Sequence, residues 1–177
     1  TGSVQDAVGG SAFYFAHGAR VLAPVAMVSV VGQDFPEDEL LCLDKLDVDR
    51  TGLKIAQGKT FRWKGKYLTD MNSRETLGTE LNVLETLKVE VPQKLRKCKA
   101  VFLANMEPEH QLSVLDQVSR PWFVACDSMN LWIENSREAL MEVLRRVDLF
   151  LVNDEEAKML SGRHGLADAG KVLLTLG

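Results

Sequence analysis

Five polar side chains in the second half of the chain have the types and positions to do chemistry. The segment "VFLAN" ends in Asn105, "FVACD" in Asp127 and "FLVN" in Asn153, with Asn130 and Glu156 a few residues beyond the last two. An apolar run that exits into an amide or a carboxylate is how a buried strand leaves the core, and open parallel sheets bind ligands outside the carboxyl ends of their strands. Any one of these residues also reads as a turn former or a helix N-cap. Three in succession, at the same end of successive strands, point to a shared site. In the first half, Gly9 and Gly10 precede a predicted helix, and a double glycine there lets the backbone approach a ligand closely.

The elements that must position these residues follow from periodicity. From Ala100 onward "AVFLAN", "PWFVACD" and "DLFLVN" read as strands, and "PEHQLSVLDQVSR", "SREALMEVLRRV" and "DEEAKMLSG" as helices. Strand and helix alternate at the spacing of βαβ units, which predicts a parallel sheet covered by helices. Upstream, "GGSAFYFAHGARV" reads as a glycine-rich turn opening a helix, "APVAMVSVVG" as a strand and "EDELLCLDKLDV" as a second helix. Residues 53–84 change character. Thr, Phe, Trp and Tyr become frequent and alternate, and "WKGK" reads as a hairpin turn, so an antiparallel unit is expected there. The expected organisation is an α/β body of residues 1–52 and 85–177 with a β-rich lid inserted at 53–84, since an insertion beside strand ends is a natural lid. In "LADAGKVLLTLG" the apolar residues Leu166, Ala169, Val172, Leu173 and Leu176 fall at helical spacing, with Gly177 as a C-cap; "VLLTL" alone also fits a strand, and the helix is preferred.

Composition narrows the function class. The chain has 177 residues, 46% apolar and 26% charged, with a formal charge of −4, which is the make-up of an ordinary globular protein. Such a balance supplies no footprint for nucleic acid, which needs locally clustered Lys and Arg. Cys42, Cys98 and Cys126 lie far apart with no CxxC pair, so neither a disulfide framework nor a zinc site is indicated, and a reducing cytoplasm is the expected location. The apolar segment "VLAPVAMVSVVG" is too short to span a bilayer, so no membrane partner is expected. GxGxxG, GxxxxGK[ST] and GxSxG are all absent, which removes dinucleotide, P-loop and serine-elbow chemistry as sequence-supported choices. His17, His110 and His164 have no evident partner and read as solvated or packed histidines.

Taken in order, the segments resemble the ribokinase-like, pfkB-type carbohydrate kinases. "GGSAFYFAHGARVLAPVAMVSVVGQD" is similar to the amino-terminal signature of that family, with its double glycine, small-residue helix, strand and Gly-x-Asp. "DSMNLW" resembles the family's Asp-x-Asn stretch with one residue more, and "LVNDEEAKMLSG" resembles its Asn-x-x-Glu motif, with Asn153 and Glu156 in the named places. The resemblance implies a parallel sheet with helices on both faces and a small antiparallel β lid. It implies transfer of the terminal phosphoryl of ATP to a hydroxyl of a sugar, a reaction governed by positioning and charge neutralisation, with Mg2+ as the second cofactor. Gly9, Gly10, Ser11, Tyr14 and Asn105 would then face the sugar, Asp127 and Asn130 the phosphate-transfer side, and Asn153 and Glu156 would hold Mg2+ through water. Asp154 and Glu155 would favour the helix start through its dipole. Arg62, Trp63 and Tyr67 would belong to the lid, which in this family often pairs subunits into a dimer.

Two departures matter. Where relatives commonly carry Asn four residues after the second glycine, this chain has Tyr14, which cannot make the same paired hydrogen bonds, so ribose does not follow as the substrate. Relatives also begin with a strand carrying an Asp for the sugar and end with a Gly-Ala-Gly-Asp motif whose Asp is the catalytic base. Neither occurs here, so the chain is expected to be incomplete at both ends, with the catalytic Asp outside it, and inactive alone. The alternatives are a nucleoside kinase, or a non-catalytic sugar- or nucleotide-sensing module of the same fold.

Overall fold

The computed structural model describes residues 2–67 and 74–177. They form two compact units, one of residues 1–19 and 89–177 and the other of residues 20–88. Among the described residues no helix is long and apolar enough to cross a membrane.

The first unit is built on a parallel three-stranded sheet in the order β5–β6–β7, with β5 at Ala100–Leu103, β6 at Phe123–Asp127 and β7 at Leu149–Leu151. Leu103 pairs with Cys126, and Asp127 with Leu151, so the three strands end side by side. Parallel neighbours need a crossover. Here α3 (Pro108–Gln117) joins β5 to β6, while α4 (Asn130–Asn135) and α5 (Arg137–Leu144) join β6 to β7. After β7 come α6 (Asp154–Ser161) and α7 (Leu166–Leu173), and α1 (Ser11–Arg20) begins in this unit as well.

Sequence accounts for the helix limits. Pro108 stands in the first turn of α3, where its missing N–H costs nothing. Gly162 closes α6 in the left-handed conformation with φ of 67°, which glycine adopts without a Cβ penalty. Leu140, Val143 and Leu144 of α5 repeat at helical spacing and join Leu103, Leu115, Val124, Cys126, Ile133 and Leu160 in one core. Burying a side chain such as Leu140 contributes about 1.5–3 kcal/mol. Cys126 is sealed in that core, and burial first, then the charge of Asp127, pushes its thiol up to about 12. It is therefore a packing residue rather than a nucleophile.

In the second unit β1 (Ala26–Gly32) and β2 (Asp49–Ala56) are parallel neighbours joined through α2 (Glu37–Lys45), and β3 (Arg62–Tyr67) pairs antiparallel with β4 (Arg74–Glu80). The Gly-x-Asp of the sequence has a local reason. A Cβ at Gly32 would lie 2.4 Å from backbone atoms of Lys59 and Thr60. Only glycine admits that approach. Asp34 then accepts from the Thr60 N–H and hydroxyl at 2.6 and 2.7 Å, fastening the turn that leads into β3.

Three expectations are corrected at this level. Residues 53–56 belong to β2 rather than to the antiparallel unit: their backbone continues the parallel ladder, with Leu53 in register with Ser29 and Ala56 with Gly32. The "WKGK" stretch is no turn: it lies inside β3, with a bulge between Lys64 and Gly65. Gly65 is there because the Trp63 ring covers it, and a Cβ would sit 2.0 Å from that ring. The link between β3 and β4 falls in residues 68–73, outside the described ones. Gly177 is not the cap of α7, which closes at Leu174. The preferred helix at the end is present as α7.

Candidate functional site

The predicted site residues all fall in the first unit, and they gather at the strand ends in three groups. At the end of β5, Asn105 is clasped from two sides. Its backbone N–H donates to Ser11 Oγ at 2.8 Å, and its side-chain Oδ1 accepts from Trp132 Nε1 at 2.9 Å. Ser11 is the first residue of α1, and Gly10 before it has φ of 98°, which explains a glycine at that position. Gly9 and Gly10 are exposed, and an added Cβ at either would meet nothing within 4 Å. Tyr14, one turn on, donates its hydroxyl to the Val8 carbonyl at 2.9 Å and leaves its ring exposed.

The second group joins β5 to β6 through a residue that sequence reasoning missed. Gln111 of α3 is fully buried, and its Nε2 donates to the carbonyls of Ala104 and Asp127, both at 3.0 Å. One amide thus ties the exits of two strands together. Its Oε1 and the nearby Ser128 Oγ are buried without a hydrogen-bond partner among the described residues. Asp127 itself is half-buried, and Asn130 opens α4 three residues later, also half-buried. The signal for Gln111 was a polar residue at a core-facing position, i and i+4 with Leu115.

The third group is Asn153 and Glu156. Asn153 is the N-cap of α6: its Oδ1 accepts from the Glu156 N–H at 2.9 Å, and Glu156 Oε2 accepts from the Asn153 N–H at 3.1 Å. This reciprocal capping box satisfies two backbone donors that the helix start would otherwise orphan. Glu156 is 5% exposed, so the box holds a carboxylate at the buried foot of a strand end. Asp154 and Glu155 are exposed in the first turn, with Asp154 paired to Lys158 at 3.1 Å.

Among the described residues no group of three or more His, Cys, Asp or Glu is placed to hold a metal ion. Direct caging of Mg2+ by the chain is thus not what these residues offer. Mg2+ usually keeps several waters and takes one or two carboxylates plus substrate phosphates, and a single fixed carboxylate such as Glu156 fits that water-mediated mode. The residues expected in a lid, Arg62, Trp63 and Tyr67, lie in the second unit, engaged with their own surroundings. Arg62 pairs with Asp34 at 3.4 Å, Trp63 Nε1 donates to Thr76 Oγ1 at 3.2 Å, and the Trp63 and Tyr67 rings meet edge to face at 6.3 Å. His17 contacts the Phe13 carbonyl at 2.9 Å and His110 lies 3.6 Å from Glu107, local contacts on their own helices.

This topology is that of the ribokinase-like fold. A candidate ribokinase II of E. coli, 18% identical, superposes with a TM-score of 0.75 over 96% of this chain and 59% of that one. A candidate ribokinase II of E. coli in complex with ATP and Mg2+ superposes with a TM-score of 0.67, at 18% identity and the same coverage. In sequence, a cytidine kinase of Thermococcus kodakarensis is 28% identical over 155 residues, 85% of this chain and 54% of the relative. The chain therefore spans about half the length of the curated relative it matches. No family model matches it.

Proposed function

We propose that the chain is the acceptor-side part of an ATP-dependent kinase that transfers the terminal phosphoryl group to a hydroxyl of a sugar or of a nucleoside. One observation carries this. The exits of β5, β6 and β7 bring Asn105, Asp127 and the Asn153–Glu156 box to one edge of a parallel sheet, each already held by named partners. Phosphoryl transfer depends on such positioning and on neutralising phosphate charge. Gly9, Gly10, Ser11 and Asn105 would meet the acceptor, Asp127 and Asn130 would stand toward the phosphates, and Asn153 and Glu156 would hold Mg2+ through water. When bound, the ion supplies charge neutralisation; this chain's part is to keep one carboxylate in a fixed place.

The similarity to a cytidine kinase favours the nucleoside alternative. Tyr14 adds to it, since an exposed ring beside the double glycine offers a base a face to stack on, which Asn would not. The exposed β3–β4 ribbon, with Leu77 at 52% exposure, suits pairing with a second copy, and sedimentation of Leu77→Lys against the parent tests that.

The deciding experiment is ATP consumption by the full-length protein across pentoses, hexoses, keto-deoxy sugars and nucleosides. Glu156→Gln is the informative variant, because Gln can complete the capping box while removing the charge. Turnover is expected to fall by about 100-fold or more, the scale of losing a charge-stabilising group, with little change in acceptor affinity. Unchanged turnover refutes the magnesium role.

A further inference from the structure

We propose that Trp132 is a positioning residue that sets the hydrogen-bonding polarity of Asn105, so that the end of β5 meets the acceptor molecule with a donor and selects a lone pair there. The inference rests on the kinase reading above and deepens it. An indole N–H can only donate. The Asn105 atom 2.9 Å from Trp132 Nε1 is therefore the amide oxygen, and the choice between the two amide orientations, usually open, is closed by the partner. The Asn105 backbone N–H is already engaged by Ser11 Oγ at 2.8 Å. The donors that Asn105 has left to offer are the two N–H groups of Nδ2, on an exposed residue.

Ser11 adds to the same polarity. Its oxygen accepts from Asn105, which leaves the hydroxyl proton for another acceptor. The anchor stands on a helix tied to the core. Trp132 is half-buried on α4, and its neighbour Ile133 is 3% exposed in the core. A hydroxyl oxygen, a carbonyl or a ring nitrogen is thus complementary to these donors. An Asn held by a carbonyl instead would present the opposite preference from the same residue type.

The test uses the full-length protein and two readouts. In the first, the three tryptophan indole N–H signals are followed by 15N NMR, with the Trp132 signal assigned from its loss in Trp132→Phe. Asn105→Ala is expected to shift that signal upfield and leave the other two in place, while Asn105→Asp, which keeps an oxygen acceptor, holds it downfield. In the second, cytidine is compared with its 2′-deoxy and 3′-deoxy analogues as the phosphoryl acceptor. One deletion is expected to raise KM about tenfold in the parent, the worth of a good hydrogen bond. Trp132→Phe reduces that penalty to about threefold and Asn105→Ala removes it, with KM moving more than kcat. A merely structural role would lower the active fraction, and so kcat, while leaving the penalty intact.

An unmoved Trp132 signal in Asn105→Ala, or a deoxy penalty equal in Trp132→Phe and the parent, overturns the proposal. Failure of the kinase reading looks different: no acceptor supports ATP consumption. The indole signal then still decides whether Trp132 sets the amide.

Discussion

The β5–β7 sheet and the β3–β4 ribbon are both small sheets next to polar loops, yet they are stabilised in opposite ways. Every strand exit of the sheet is fastened by a side chain from another element: Gln111 holds β5 and β6, Trp132 and Ser11 hold Asn105, and Glu156 holds Asn153. The ribbon relies on its own ladder and on a few contacts such as Trp63 over Gly65. From Glu75 to Glu80 all of β4 is exposed. Two-stranded ribbons are marginal alone. In the function proposed above, the side chains that would meet a ligand sit at these fastened exits, where hydrogen bonds from other elements orient them.

The contrast breaks most visibly in the core. Leu140→Ala empties a fully buried site beneath the sheet and is expected to cost about 2–5 kcal/mol, read as the midpoint of urea unfolding. The corresponding Leu77→Ala in the ribbon is expected to stay within about 0.5 kcal/mol at protein concentrations low enough to keep the ribbon unpaired, as exposed substitutions do. Equal costs would mean that the ribbon is buried against something in solution and would erase the difference.

Gln111→Leu sharpens the comparison at the strand exits. It keeps the volume and removes both donors, leaving the Ala104 and Asp127 carbonyls without them, at about 1–3 kcal/mol. Its expected signature is loss of amide-exchange protection at the ends of β5 and β6, with the ribbon unchanged. A stability loss spread evenly over both units would instead make Gln111 an ordinary packing residue.

How much of this was legible beforehand follows the same division. β6, α5 and α6 were readable because their apolar residues repeat at the period of the element that buries them, as in Leu140, Val143 and Leu144. The box at Asn153 and Glu156 was visible as an N-cap alternative, since its spacing of three is a local pattern; that both partners are engaged reciprocally needed the geometry. Gln111, Trp132 and Ser11 were not legible as a fastening set, because hydrogen bonds between Asn105 and Trp132 or Ser11 span 27 and 94 residues. In the ribbon the local pattern misled. Gly65 between two lysines looks like a turn, and only the ring of Trp63 above it shows that the glycine makes room inside a strand. The six-residue α4 was missed because it is too short for its apolar period to register.

The smallest expected effect concerns charge in the second unit. Hydrogen bonds from the Thr60 hydroxyl, then from the Thr60 N–H, hold the Asp34 carboxyl below its ordinary value of 3.8. A carboxyl depressed in the folded state contributes stability above its unfolded pKa and loses it as pH falls through the folded one. Asp34→Asn is therefore expected to unfold at lower urea than the parent near neutral pH, with the gap closing as the pH drops below the ordinary carboxylate range. The sheet unit supplies the control, since Gln111→Leu removes an uncharged contact whose cost should not follow pH. A gap for Asp34→Asn that stays constant down to strong acid would show that the Asp34–Thr60 clasp acts through shape alone, and that the turn leading into the ribbon is held as firmly as the strand exits.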